Sequence, residues 1–185
     1  MSIYAAASAA IQAAYHAKGL SHPSIDRCDD TISESNLRNT PYAFIATNLP
    51  YGLHNLLKGA PMLMTVLRDT IHRVCSAFGY HCARTGCELG PSEISAFITD
   101  PSNSNLMTKL LSGKTARAEV TEANLHNAIN RLFNEFDFVA TTAGIPTICE
   151  AFLKHFGLPN VITTRINPTP EEFKIDMSSV TEEIR

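Results

Sequence analysis

Apolar side chains along this chain fall into short continuous runs and into stretches with a helical period near 3.6 residues, and the switches between them mark its elements. Residues 62–67 form an apolar, β-prone run that ends in Arg68-Asp69. A helical pattern follows at once over 70–83, with Ile71, Val74, Cys75 and Phe78 on one face. The alternation returns later in the chain. An amphipathic helix runs from Thr121-Glu122 to about Asn134, with Leu125, Ile129 and Phe133 as its core stripe. A strand over 136–140 and a helix over 145–156, closed by Gly157, follow it. Upstream, 2–18 read as an Ala-rich helix stopped by Gly19, 20–40 as a polar loop, 42–46 as a short strand, 48–52 as a turn and 53–57 as a short helix. Between the two strand–helix pairs come a loop over 84–91, a short helix over 94–98 capped by Ser92, and another over 106–111. Residues 161–166 are extended, 167–170 are stiffened by two prolines, and a solvated tail occupies about 171–185. Strands alternating with helices predict one α/β domain over 1–185 with a mainly parallel sheet.

Composition narrows this picture. The chain has 185 residues, enough for one domain with a sizeable core, and its net charge is −3. That charge argues against a broad nucleic-acid-binding face. No apolar stretch is long enough to cross a bilayer, and the Ala-rich start lacks the basic flank of a signal peptide, so a soluble, cytoplasmic protein is expected. A Golgi membrane location is the alternative, should an anchor precede Met1. The five cysteines are odd in number and repeat no spacing, so no disulfide framework is expected. His81, Cys82 and Cys87, with Cys75 near them, match no zinc pattern, and no metal is expected.

The candidate chemistry sits where strand 62–67 meets helix 70–83. A strand that delivers an arginine to a helix N-terminus sets a forked cation beside free N–H groups and a partial positive charge, an arrangement suited to phosphate. Ser76 adds a hydroxyl about two turns further on. The alternative reading is a buried strand and a packed helix, with Asp69 as N-cap and Arg68 paired to a surface carboxylate. Arg73 is read as a helix-surface residue in a salt bridge.

Four stretches together resemble the sulfotransferases that use 3′-phosphoadenosine 5′-phosphosulfate, in the branch of the uronyl and heparan 2-O-sulfotransferases. Residues 42–53 resemble the family's strand-and-turn of the type "gHlpyGl". Residues 65–78 resemble its 3′-phosphate motif "TvLRdPveRviSay". Residues 105–113 are similar to "NxxTRxLxG", and 132–139 with 151–159 to its helix–strand–helix ending. The resemblance covers roughly 2–170 and implies a nucleotide-kinase-like (P-loop NTPase-type) parallel sheet flanked by helices. It implies the 3′-phosphosulfate nucleotide as co-substrate and a hydroxyl-bearing carbohydrate acceptor as partner. It also places Arg68 and Ser76 on the donor's 3′-phosphate, with Lys109 as a further donor-binding residue.

The departures from the family pattern carry expectations too. The family's first strand and its Lys-containing "PKtGgTS" loop have no counterpart here, and Ser2 aligns with that loop's last position. Asn48 stands where the family has its histidine base, and an amide cannot take a proton near neutral pH. His54, six residues on, is the substitute candidate. Lys109 replaces an arginine, keeping the charge and losing the fork. The implied activity is sulfuryl transfer to a hydroxyl. One alternative is a silent relative that binds a 3′-phosphonucleotide or a protein partner without turnover; another is a structural or interaction module that binds no nucleotide and oligomerises through an uncovered sheet edge.

Overall fold

The computed structural model describes residues 25–28, 34–39 and 45–157, together with Gly19 and Ile175. The predicted helix over 2–18, the start of the strand over 42–46, the extended run over 161–166 and Ser2 lie outside the described residues.

The described chain begins with β1 (Ile25–Cys28), α1 (Glu34–Asn39) and β2 (Ile45–Thr47), followed by a 3₁₀ turn over Leu53–Leu56. Then come β3 (Met64–Leu67), α2 (Thr70–Thr85), α3 (Pro91–Thr99), α4 (Leu106–Leu111), α5 (Glu122–Asn134), β4 (Phe138–Thr141) and α6 (Ile145–His155). β1 and α1 fall where the sequence predicts only a polar loop. At four and six residues they are too short to display a period.

The fold is α/β with parallel strands. The prediction of one sheet needs correction, because among the described residues the strands form two separate parallel pairs. β1 pairs with β2, placing Ile25 opposite Ile45 and Cys28 opposite Thr47. β3 pairs with β4 from Met64–Phe138 to Leu67–Thr141 without a slip. Asp137 fixes the start of that register: its carboxylate accepts the Leu63 N–H at 2.7 Å, and its own N–H donates to the Leu63 carbonyl at 2.9 Å. Parallel strands need a long crossover, here supplied by α2 to α5.

The boundaries of α2 follow from capping chemistry. Asp69 accepts the His72 N–H at 3.0 Å, satisfying one free donor of the first turn. Gly86 ends the helix in the left-handed region at φ 72°, where a side chain would be strained. α3 starts earlier than predicted: Pro91 occupies the first turn after Gly90. Ser92 therefore lies inside the helix and is not its cap; its hydroxyl donates to Glu93 at 2.7 Å.

The core sits between α2 and α3. Cys75, Phe78, Cys82 and Ile94 are buried together, with Ile71, Phe97 and Ile98 against them. Ile175 packs on the same cluster, so one residue of the predicted solvated tail belongs to the interior. Cys82 and Cys87 are joined in a disulfide, which corrects the expectation of free cysteines there. The turn at Gly86 brings their Cα atoms to 4.5 Å, a closeness that spacing alone does not reveal.

α5 carries a further correction. Its predicted core stripe is on the surface: Leu125, Ile129 and Phe133 are 45%, 42% and 82% exposed. The helix instead turns Asn124, Ala128 and Arg131, spaced i, i+4 and i+7, inward. Asn124 closes a capping box with Thr121, and Arg131 donates to the Leu111 carbonyl at 2.8 Å. Polar bonds thus hold the inward face around the buried Ala128.

Candidate functional site

β3 ends at Leu67, and the chain passes through Arg68 and Asp69 directly into α2. Arg68 is half-buried and stands at the carboxyl edge of the β3–β4 pair, where open α/β sheets form their ligand crevices. Asp69 does two things at once. Its carboxylate caps the helix, and it also meets the His72 ring nitrogen at 2.8 Å. The His72 N–H bond, then the His72 ring, hold the Asp69 carboxyl below its ordinary value.

One turn further, Arg73 departs from its predicted role. It is half-buried, and it meets no carboxylate among the described residues. Its Nη2 donates to the Asn103 carbonyl at 2.7 Å, and its Nε is buried without a hydrogen-bond partner. Burial lowers its affinity for its proton, and the positive charge of Arg68 lowers it further. That charge also reaches the Cys75 thiol, which burial pushes up. Two guanidiniums thus share the mouth of α2. Ser76 follows Arg73 by three positions, which places both on one side of the helix. Its half-buried hydroxyl makes no hydrogen bond among the described residues.

Lys109 is placed differently from what the resemblance implies. It is only 2% exposed, and its ammonium donates to the Pro101 carbonyl and, at 2.9 Å, to the Ala116 carbonyl. The charge is committed to the chain's own backbone. Asn48 follows β2 in the turn and is exposed. Ser2 lies outside the described residues.

His54 belongs to another constellation, which sequence reasoning missed. The Tyr51 hydroxyl donates to Glu135 Oε2 and lies 3.4 Å from His54 Nε2. Arg131 covers the Tyr51 ring at 4.1 Å from its centroid. Burial, and then the Glu135 carboxylate, push the Tyr51 hydroxyl up to about 12, so it keeps its proton at any ordinary pH. Tyr51 is held from behind as well, because its N–H donates to the Leu110 carbonyl at 2.7 Å. Tyr51, His54 and Glu135 line a cavity of about 470 Å³ that also includes Leu63. Leu63 precedes β3 and Arg68 follows it; at about 3.3 Å per residue the two ends lie roughly 16 Å apart. The structure therefore brings the charges of Arg68 and Arg73 together at one end of the strand, with Ser76 three positions beyond Arg73 along α2. It sets His54 at the other.

No sequence signal links Tyr51 to Glu135, which are 84 positions apart. Arg73 had a local signal, its three-residue spacing from Ser76. Among the described residues no group of three or more His, Cys, Asp or Glu could hold a metal ion, and no helix is long and apolar enough to cross a membrane. No protein-family model, curated protein or solved structure matches the chain.

Proposed function

We propose that the mouth of α2 is a phosphate site, and that the chain is a sulfotransferase relative. In this reading Arg68, supported by Arg73 and Ser76, holds the 3′-phosphate of 3′-phosphoadenosine 5′-phosphosulfate. The sulfuryl group passes to a hydroxyl, on a carbohydrate by the resemblance, leaving adenosine 3′,5′-bisphosphate. The nucleotide-kinase-like sheet belongs to the same proposal.

One observation carries the reading. Arg73 is a partly buried cation with no carboxylate against it among the described residues, and it stands beside the charge of Arg68. Buried charges are normally paired, and two neighbouring guanidiniums repel. A phosphate dianion would answer both conditions and accept from the forked donors and the hydroxyl. A second reading, nucleotide binding without turnover, is favoured by Asn48, whose amide cannot serve as a base, and by the commitment of Lys109 to backbone carbonyls.

Calorimetry tests the site. Adenosine 3′,5′-bisphosphate should bind at least tenfold more tightly than adenosine 5′-monophosphate. Arg68→Ala should weaken the bisphosphate roughly ten- to hundredfold, the value of one or two charged hydrogen bonds. Equal binding of the two nucleotides, or an unaffected Arg68→Ala, overturns the proposal. Donor-dependent sulfation of a sugar hydroxyl then separates enzyme from silent binder. Under the second reading Asn48→His gains turnover.

A further inference from the structure

The Tyr51 cavity lies at the amino edge of the β3–β4 pair, away from the proposed phosphate site, and no step of the proposed reaction uses it. Its wall divides by chemistry. Leu57, Pro61 and Leu63 supply an apolar side; Tyr51, His54 and Glu135 supply a polar one. At about 470 Å³ it falls within the range of small-molecule sites.

The polar side is rich in acceptors and carries the Glu135 carboxylate. The Tyr51 hydroxyl spends its one proton on Glu135 Oε2, leaving the phenol oxygen as an acceptor. Glu135 Oε1 forms a loose ion pair with Arg131 Nε at 3.9 Å, too long for a hydrogen bond, so its lone pairs stay open to a donor. Arg131 does not line the cavity; its guanidinium lies over the Tyr51 ring and its Nη1 is tied to the Leu111 carbonyl. Lys58, exposed nearby in the sequence, is not on the wall either. What faces the cavity is therefore a carboxylate, a phenol oxygen and an imidazole, with Asn55 beside them, above an aliphatic floor.

The geometry points to a binding site for a small protonated primary amine on an apolar body, its ammonium on Glu135 and the Tyr51 oxygen and its body on Leu57, Pro61 and Leu63. The assignment is independent of the donor site. An ammonium supplies three donors to a wall that supplies acceptors, and its charge complements the Glu135 carboxylate on that wall. An anion of the same shape meets the Glu135 carboxylate. A neutral alcohol forgoes the charge.

The experiment compares three probes of matched shape, namely phenethylamine, 2-phenylethanol and phenylacetate. Each is titrated into the full chain without nucleotide and followed by the backbone amide resonances of Tyr51, His54, Asn55 and Leu57. The amine should shift these resonances saturably and bind tenfold or more tightly than the alcohol, and the acid should leave them in place. Glu135→Gln should erase the preference for the amine. Ala60→Phe, a substitution on the exposed rim, should block binding without disturbing the Tyr51–Glu135 contact, and it decides the matter if Glu135→Gln does not fold. The inference is overturned if the acid or the alcohol binds as tightly as the amine. No shift of these resonances with any probe, or undiminished binding by Ala60→Phe, also overturns it. With no nucleotide present, none of these outcomes bears on the phosphate site at α2.

Discussion

Lysine 109 offers the sharpest test of how a charge is used in this chain. Its ammonium is 2% exposed and bridges the Pro101 and Ala116 carbonyls, which flank α4 on either side. Lys109→Met keeps the stem's volume and removes the charge. Two hydrogen bonds from an ionised donor are worth about 3–6 kcal/mol gross. Relief of the buried ammonium's desolvation returns part of that. The two carbonyls sit in loops where water can reach them in part, so their own penalty stays near the low end, about 1 kcal/mol each. The net loss is about 2–4 kcal/mol, and at roughly 2–4 °C per kcal/mol for a chain of this size the midpoint should fall by roughly 5–15 °C. Thermal unfolding followed by circular dichroism reads the number. Nucleotide affinity of the folded Lys109→Met protein, measured well below its midpoint, should stay at the wild-type value, because the ammonium serves the backbone. A midpoint within about 1 °C of wild type refutes the clamp. A folded variant that loses nucleotide affinity returns Lys109 to the donor site.

Two further outcomes follow from the caps and the cross-link. Cys87→Ser opens a small loop whose closure is worth about 2 kcal/mol, so its melting point under oxidising conditions should drop; adding reductant should then lower wild type to the same value and leave the variant unmoved. The Asp69 carboxyl is held below its ordinary 3.8 by His72, so its contribution to stability is complete above that pH and is lost as pH falls through the folded value; Asp69→Asn should flatten the acid limb of the stability profile and leave stability above pH 5 dependent only on the retained cap.

Legibility in the sequence followed the range of the interactions. α2, α4 and α5 were readable because their signals are local: Asp69 and Thr121 are caps within three residues of the N–H groups they serve, and the helical period runs on from them. β1 and α1 carry too few residues for a period to emerge. The stripe of α5 shows the limit of amphipathicity as a guide. Leu125, Ile129 and Phe133 do line one side, but the inward side is the one held by Arg131 on Leu111, a bond between residues far apart in the chain. The proposed phosphate site was half visible. Arg68 and Ser76 stand in a motif, whereas the burial of Arg73 against Asn103 depends on how the loop after α3 folds back. The Tyr51–Glu135 pair had no visible trace, since a hydrogen bond across 84 positions leaves nothing in local pattern.

The pairing of Met64 with Phe138 has a consequence for how the molecule is made. On a ribosome adding about 5–20 residues per second, β3 emerges several seconds before the strand that will hold it. During that interval its unpaired backbone and its apolar side chains wait on a nascent chain, while α2 and α3 can already assemble from near neighbours. The end of β3 that presents Arg68 therefore acquires its final geometry only after α5 has been synthesised, so a translation stalled before residue 138 would release a helical hairpin without the strand pair that frames the proposed anion site.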